Sequence, residues 1–426
     1  MISKKLIPLV ALCIAFVAAM NAQNLSTPDK ANSIGNPALT NGVLNYNIDL
    51  FEISTKGASV PISITYTASG IMTDQLASSV GLGWNLQAGG SIVREVRGEP
   101  DDIRESGKVG WIYNKDDTEE DPSSAHMIFD FDPNSLNEQE NAEFLAEVYG
   151  EDYDHHHDLE PDMFTFNING RTGQFVFDTG YNNDQLNKEI LLIPYQNLKI
   201  SYRITDETKG IDSLIVTDEN GVVYYFTVTE KTVSKLYTII NEKEGIYAHH
   251  FDDYESNQSY NSSWLLSKII TPNGKNIDLL YEEEKLFLDQ YIYKEFRGSD
   301  VEPITEIITN AEGSKTTKQR IKKIVSENQL VEFMAYHERW DVNGFNSKAI
   351  NEIVLKSNIS GYKEKIIGRV VFEQSYFSSG NGCCGNEHLH KRLKLDGLSF
   401  CTEDDCSPPY RFEYLKNGSD EIKMRT

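Results

Sequence analysis

The chain is poor in positive charge: 40 lysines and arginines stand against 65 aspartates and glutamates, a net charge of −25. So acidic a surface is repelled by nucleic acid and by anionic membranes, which argues against either as a partner. Long apolar runs are missing too. The longest, the fifteen uncharged residues Leu6 to Met20, falls short of the roughly 20 that cross a bilayer. It follows Lys4 and Lys5 and gives way to small and polar residues around Ala22 and Gln23, the pattern of a cleaved secretory signal peptide over residues 1–22. Cys13 lies inside this run after Leu12, where a lipoprotein signal has a small residue, so no lipid anchor is expected. The mature protein is expected to be secreted or held at the cell surface, with no membrane insertion after the signal is removed.

Signatures of catalysis are absent as well. No nucleophile elbow, zinc-protease helix, phosphate loop or dinucleotide fingerprint occurs, so no catalytic residue and no cofactor is assigned. Cysteine is scarce. After the signal peptide it is confined to Cys383, Cys384, Cys401 and Cys406, an even set in a segment rich in Gly, Ser, Asn and Pro. In an oxidising compartment such a set reads as two disulfides, with three connectivities open. A ring between adjacent cysteines is strained, which directs Cys383 and Cys384 each toward Cys401 or Cys406. The rival is a zinc site drawing on His388 and His390, against which the adjacent Cys-Cys pair departs from the usual spacing of ligand pairs.

Helical periodicity is rare, its best candidate being Asn134 to Tyr149, where Leu136, Phe144, Leu145 and Val148 share a face. What is abundant is alternation. Leu44, Tyr46, Ile48 and Leu50 alternate with other residues, as do Val60, Ile62, Ile64 and Tyr66. Three units then repeat the order strand, turn, strand. Phe164, Phe166 and Ile168 meet Phe175 and Phe177 across Asn169-Gly170; Leu214 to Thr217 meets Val222 to Val228 across Asp218 to Gly221; Trp264 to Ile270 meets Ile277 to Tyr281 across Pro272-Asn273-Gly274. Asn-Gly between alternating runs signals a hairpin, because both residues tolerate the positive φ of a type I′ turn. Weaker strand pairs follow at 321–336, 350–377 and 392–415. The fold class expected is all-β: antiparallel sheets of β-hairpins, sandwich or shell-like, with one or two short helices.

The densest local signal is GLGWNLQAGGSIVREVRG, residues 81–98, followed by the acidic turn Glu99-Pro100-Asp101-Asp102. Gly81, Gly83, Gly89, Gly90 and Gly98 interrupt two short apolar runs, so the backbone there turns tightly or packs closely. Trp84 and Leu86 alternate in one strand and Ile92, Arg94 and Val96 in the next, which predicts a hairpin joined at Gly89-Gly90. Arg94 and Arg97 lie close to Glu99, Asp101 and Asp102, and ion pairing there would pin the turn. A first module is placed at 32–102, an acidic insertion at 103–162, and a hairpin-rich region with the cysteine cluster at 163–426.

Within the insertion, Asp152, Asp154, Asp158, Glu160 and Asp162 surround His155, His156 and His157. The spacing matches no calcium loop, and three consecutive histidines cannot easily aim at one ion, so the stretch reads as a solvated acidic loop and no metal is assigned. The 22 tyrosines and 19 phenylalanines exceed what an average core takes, which leaves strand packing or an exposed aromatic platform for glycan or protein open.

Taken together, TNGVLNYNIDLFEI (40–53), VPISITYTASGI (60–71), VGLGWNLQAGGSIVREVRGEPDD (80–102), EPDMFTFNINGRTGQFVFD (160–178), SWLLSKIITPNGKNIDLLY (263–281), KRLKLDGLSF and PPYRFEYL resemble the N-terminal region of secreted bacterial RHS/YD-repeat proteins. These are related to the B/C components of insecticidal toxin complexes and to polymorphic toxins. The resemblance implies a non-enzymatic β scaffold or interaction module in a toxin-encapsulating or surface-competition system. Its partner would be a larger RHS/toxin polypeptide or a surface protein. The chain departs from the family in ending at Thr426, just where the repeats that wind into a hollow shell are expected, so toxicity is not carried over. The alternative is an exported glycan-binding or glycan-cleaving protein.

Overall fold

The computed structural model describes residues 45–67, 75–105, 108–113, 156–158, 160–178, 189–205, 210–242, 245–246, 259–297, 306–359, 361–378 and 387–414. The expected signal peptide, the candidate helix 134–149, Cys383 and Cys384 lie outside them. Within them the protein is nearly all β, as the alternation predicts, with one 3-10 turn, Trp111–Tyr113, and one four-residue helix, Glu387–His390.

Strands β1 (Asn45–Thr55), β2 (Ala58–Thr67) and β3 (Trp84–Ala88) form an antiparallel sheet in that order. The next strand, β4 (Gly90–Glu95), leaves it. Short strands β5 (Arg104–Glu105), β6 (Lys108–Val109) and β7 (His156–His157) make a small separate sheet. The large sheet then takes β8 (Met163–Ile168), β9 (Arg171–Phe177), β10 (Ile190–Ile193), β11 (Leu198–Arg203), β12 (Ser213–Asp218), β13 (Val223–Glu242), β14 (Gly245–Ile246), β15 (Ser259–Ile270), β16 (Asn276–Arg297) and β17 (Glu306–Val325). It continues through β18 (Gln329–Met334), β19 (Asn343–Phe345), β20 (Glu352–Ser357), β21 (Ile366–Ser378), β22 (Lys391–Cys401) and β23 (Tyr410–Arg411).

Pairing in the large sheet runs β10-β9-β8-β4-β15-β13-β12-β11, and from β13 also through β17, β18, β20, β21, β22 and β23. β16 pairs with both β15 and β17, so the sheet closes on itself.

All three strong hairpins form. At Asn169 and Gly170 φ is 50° and 90°, the two positive values of a type I′ turn. The other two use a different turn. Gly221 N–H donates to Asp218 O and Gly274 N–H to Thr271 O, with only the glycine at positive φ, as in a type I turn followed by a bulge.

The predicted hairpin at Gly89-Gly90 is absent. β3 pairs with β2 and β4 with β8 and β15, so the glycine pair is the corner at which the chain passes from one sheet to the other. Alternation is the same for a strand paired to its neighbour and for one that changes sheets, and sequence cannot separate the two. Gly89 turns with φ 103°. A β-carbon on Gly90 would lie 2.4 Å from the Asn167 carbonyl oxygen on β8, which accounts for the second glycine.

One continuous hydrophobic core draws on both sheets, from Ile53, Ile62 and Ile64 to Phe164, Phe166, Trp264, Phe226 and Ile353. The corner residues also reach the far end of the chain. Leu82 N–H donates to Leu393 O, Gly81 packs on the Leu395 main chain, and Gly83 lies under the Tyr66 ring. Trp84 Nε1 donates to Tyr414 Oη at 2.9 Å, and that hydroxyl donates to Leu395 O at 2.6 Å. Trp84 packs against Phe412 and Tyr66, at 4.6 and 5.2 Å between centroids.

Candidate functional site

β4 lies between β8 and β15, with Ile92 opposite Phe166 on one side and Trp264 on the other. A strand shows one face every second residue, so Arg94 follows Ile92 onto the buried face while Val93 and Glu95 point outward. The guanidinium carbon sits 5.1 Å from the ring centroids of both Phe164 and Trp264. Such a cation is held only if anions reach it. Asp102 does, its Oδ1 2.7 Å from Nη1, and Asp162 does, its Oδ2 3.4 Å from Nε.

The surrounding carboxylates are tied to main chain from several segments. Asp101 and Asp162 bind reciprocally: Asp101 N–H donates to Asp162 Oδ2 at 3.0 Å, and Asp162 N–H to Asp101 Oδ1 at 2.9 Å. Asp162 Oδ1 accepts Arg97 N–H, and Asp102 Oδ2 accepts Ile211 N–H at 2.5 Å. Gly210 leaves room for that contact, since a β-carbon there would come within 2.3 Å of the Asp102 carboxylate. Asp158 Oδ1 accepts Glu99 N–H, and the Ile211 carbonyl in turn receives Asn261 Nδ2 and Trp264 Nε1. One buried centre thus joins β4, the 97–102 turn, the 158–162 segment, residues 210–211 and β15.

Asp101, Asp102 and Asp162 around one guanidinium, with Asp158 beside Asp162, leave an excess of negative charge away from water. Burial, and then the charge of Asp162, drive the Asp101 carboxyl well above the usual range. Asp158 is pushed up to about 7 by burial and then by Asp162. For Asp162 burial again dominates and Arg94 opposes it, leaving it near 6. Burial by itself lowers Arg94, but Asp102 and then Asp162 outweigh it and hold the guanidinium above its ordinary pKa. The centre braces chain segments and can take up protons in the neutral range; among the described residues no group of three His, Cys, Asp or Glu is disposed to hold a metal ion.

Three expectations change here. Asp158 and Asp162 are not a solvated loop, since each is less than 2% exposed. Asp152, Asp154 and His155 lie outside the described residues, and His156 and His157 are described as backbone in β7. Arg97 takes no part in the ion pair; its side chain is exposed, 3.9 Å from Glu95. Finally, Cys401 pairs with Cys406, five residues on, rather than with Cys383 or Cys384. The two meet because residues 401 and 406 form an antiparallel bridge with Cα atoms 3.9 Å apart, a proximity made by the turn between them. Asp162 and Ile211 were not anticipated as partners of the acidic turn. A signal for Asp162 exists: it stands two residues before Phe164, in phase with the buried face of β8.

No family model matches the chain, and no curated protein matches it. Among solved structures it is similar to a chain of the TcdB2-TccC3-Cdc42 crystal structure, with TM-score 0.44 and 10% identity over 88% of this chain and 16% of that one. A mutant Photorhabdus luminescens Tc holotoxin pore gives TM-score 0.43 and 9% identity, over 89% and 16%. The N-terminal domain of the effector SpvB from Salmonella typhimurium strain LT2 gives 0.34 and 9%, over 84% and 99%. The chain thus spans about a sixth of the length of the Tc toxin chains it matches.

Proposed function

We propose that this chain is a secreted structural β scaffold, an interaction module of the RHS/YD type in a toxin-related or surface-competition system, whose partner is a larger RHS/toxin polypeptide or a surface protein. The observation that carries the reading is the way the buried charges are used. The carboxylates around Arg94 accept main-chain N–H groups from the 97–101 turn, residues 160–162 and Ile211, which makes the centre a brace across distant segments. The corner next to it in the chain is fastened to β22 and Tyr414, which ties residues 82–84 to the C-terminal strands. A rigid wall that spends its polar chemistry on itself suits holding a partner.

The test is cross-linking in cells that produce and export the full chain, followed by mass spectrometry. The expected result is an exported protein whose N-terminus lies near residue 23, cross-linked to a larger YD-repeat polypeptide or a surface protein. Retention in the cytoplasm, or hydrolysis of a glycan that is lost on substituting specific carboxylates, would overturn the proposal.

A further inference from the structure

β3 is an edge strand, and its open side borders a groove. Thr67 N–H donates to Gly83 O in the register that sets Thr65 opposite Asn85 and Ser63 opposite Gln87, so Asn85 and Gln87 turn their main-chain groups toward β2. Leu86 and Ala88 turn theirs the other way. Among the described residues neither main chain has a hydrogen-bond partner on that side. A cavity of about 300 Å³ runs along it, bordered by every residue from Asn85 to Ser91 and, across from them, by Leu265, Leu286, Lys318 and Ile321. Successive side chains of a strand point to opposite faces, so a run of consecutive residues borders one space through its edge. Leu86 and Ala88 pack their side chains against the core, which leaves their N–H and C=O groups for the groove.

An unpaired strand edge beside apolar side chains is a template for one more strand. The chain carries a segment that fits it. Residues 415–426 follow Tyr414 and lie outside the described residues. Tyr414 is seated at the head of β3, its hydroxyl accepting from Trp84 Nε1 at 2.9 Å while Phe412 packs on the Trp84 ring. At the rise of a strand, Leu86 and Ala88 stand about 7 and 14 Å beyond Trp84. The stretch from Leu415 to Asp420 spans up to about 20 Å and contains the turn pair Asn417-Gly418. After it Glu421, Ile422, Lys423, Met424 and Arg425 alternate charged with apolar residues, the pattern of a strand with one apolar face. Charge also favours this occupant. Lys416, Lys423 and Arg425 outnumber Asp420 and Glu421, so the tail brings a positive surplus to a chain of net charge −25, whereas a second copy brings another −25.

We propose that residues 421–425 pair with the open edge of β3 as an added strand, setting Ile422 and Met424 toward Leu265, Leu286 and Ile321. The chain's own tail then covers the edge, and a partner that adds a strand to β3 has to displace it.

The test is hydrogen–deuterium exchange at single-amide resolution on the full chain. The Leu86 and Ala88 amides, which no described residue accepts, are expected to exchange at least about a hundredfold more slowly than solvent-exposed amides. Ile422→Asp combined with Met424→Asp is expected to speed both at least about tenfold, while the amides of the β8–β9 hairpin keep their rates. Position is read independently by a benzophenone amino acid in place of Lys423, whose photo-crosslinks are expected on residues 85–91 or 318–321; this readout stands if the double variant does not fold. Fast exchange of both amides in the unmodified protein, rates unchanged in the folded double variant, or crosslinks confined to other segments would each overturn the proposal. Protection that rises with protein concentration marks a second copy on the edge and overturns it as well.

Discussion

Replacing Arg94 with methionine keeps the length and apolar stem of the side chain and removes its charge, isolating the role of the cation in the centre. Asp102 and Asp162 then lose their counter-charge at 2.7 and 3.4 Å while remaining buried. Removing one partner of a buried pair costs about 3–5 kcal/mol. The matched control is Lys268→Met, whose partner Asp278 lies at 3.3 Å with both side chains about 40% exposed; its loss costs less than about 1 kcal/mol.

Proton linkage supplies a second, sharper expectation. Because Asp158 and Asp162 titrate near 7 and 6 when folded, above unfolded aspartate, the folded state holds extra protons between pH about 4 and 7. Stability of the unmodified protein should therefore rise as pH falls from about 8 to about 5. Below that, the gain meets an opposing loss from carboxylates such as Glu282, which a hydrogen bond from Lys322 holds below its usual value and whose stabilisation disappears as it is protonated. Without Arg94, whose charge opposes protonation of Asp101 and Asp162, those two aspartates bind protons more tightly still. One further proton taken up over two pH units narrows the deficit of Arg94→Met by about 2–3 kcal/mol between pH 8 and pH 5. Urea unfolding at both pH values measures this. A deficit under about 1 kcal/mol at pH 8, or one that does not shrink at pH 5, refutes the account of the centre.

The corner makes a further prediction: Gly90→Ala, whose β-carbon meets the Asn167 carbonyl at 2.4 Å, should lower thermal stability far more than Gly170→Ala, which has open space and a positive φ alone. The second should cost about 1 kcal/mol, and equal losses would refute the close approach to β8. Non-reducing peptide mapping should recover Cys401 linked to Cys406, while a link from either to Cys383 or Cys384 would contradict the pairing. Closing so short a loop stabilises by about 2 kcal/mol, so Cys406→Ser should lower stability by that order in urea unfolding. Trp84→Phe keeps the ring contacts but removes the donor to Tyr414, and should cost about 1 kcal/mol, with little change if that hydrogen bond contributes nothing.

Local chemistry made much of this protein legible in one dimension. Period-two alternation in Phe164, Phe166 and Ile168, broken by Asn169-Gly170, is enough to define a hairpin, because strand faces and turn φ values depend on neighbours in sequence. The same alternation set Arg94 in phase with Ile92, and placed an acidic turn a few residues away. Which carboxylates would close on Arg94 was another matter. Asp102 is eight residues distant and foreseeable; Asp162 and Ile211 arrive because β4 is taken up between β8 and β15, a pairing between segments about 70 and 170 residues away. Sheet exchange at Gly89-Gly90 was invisible for the same reason, since a strand's alternation does not record its partner.

Sequence alone therefore determined the all-β class, the strong hairpins and the inward face of β4, all consequences of steric and hydrophobic preferences within a few residues. Tertiary structure alone decided that the glycine corner crosses between sheets, that the acidic turn and the segment before β8 are one buried centre, and that Cys401 turns back on Cys406. Each depends on which surfaces are desolvated together. Burial converts a scatter of surface-type charges into a coupled set, and burial is a property of the packed chain.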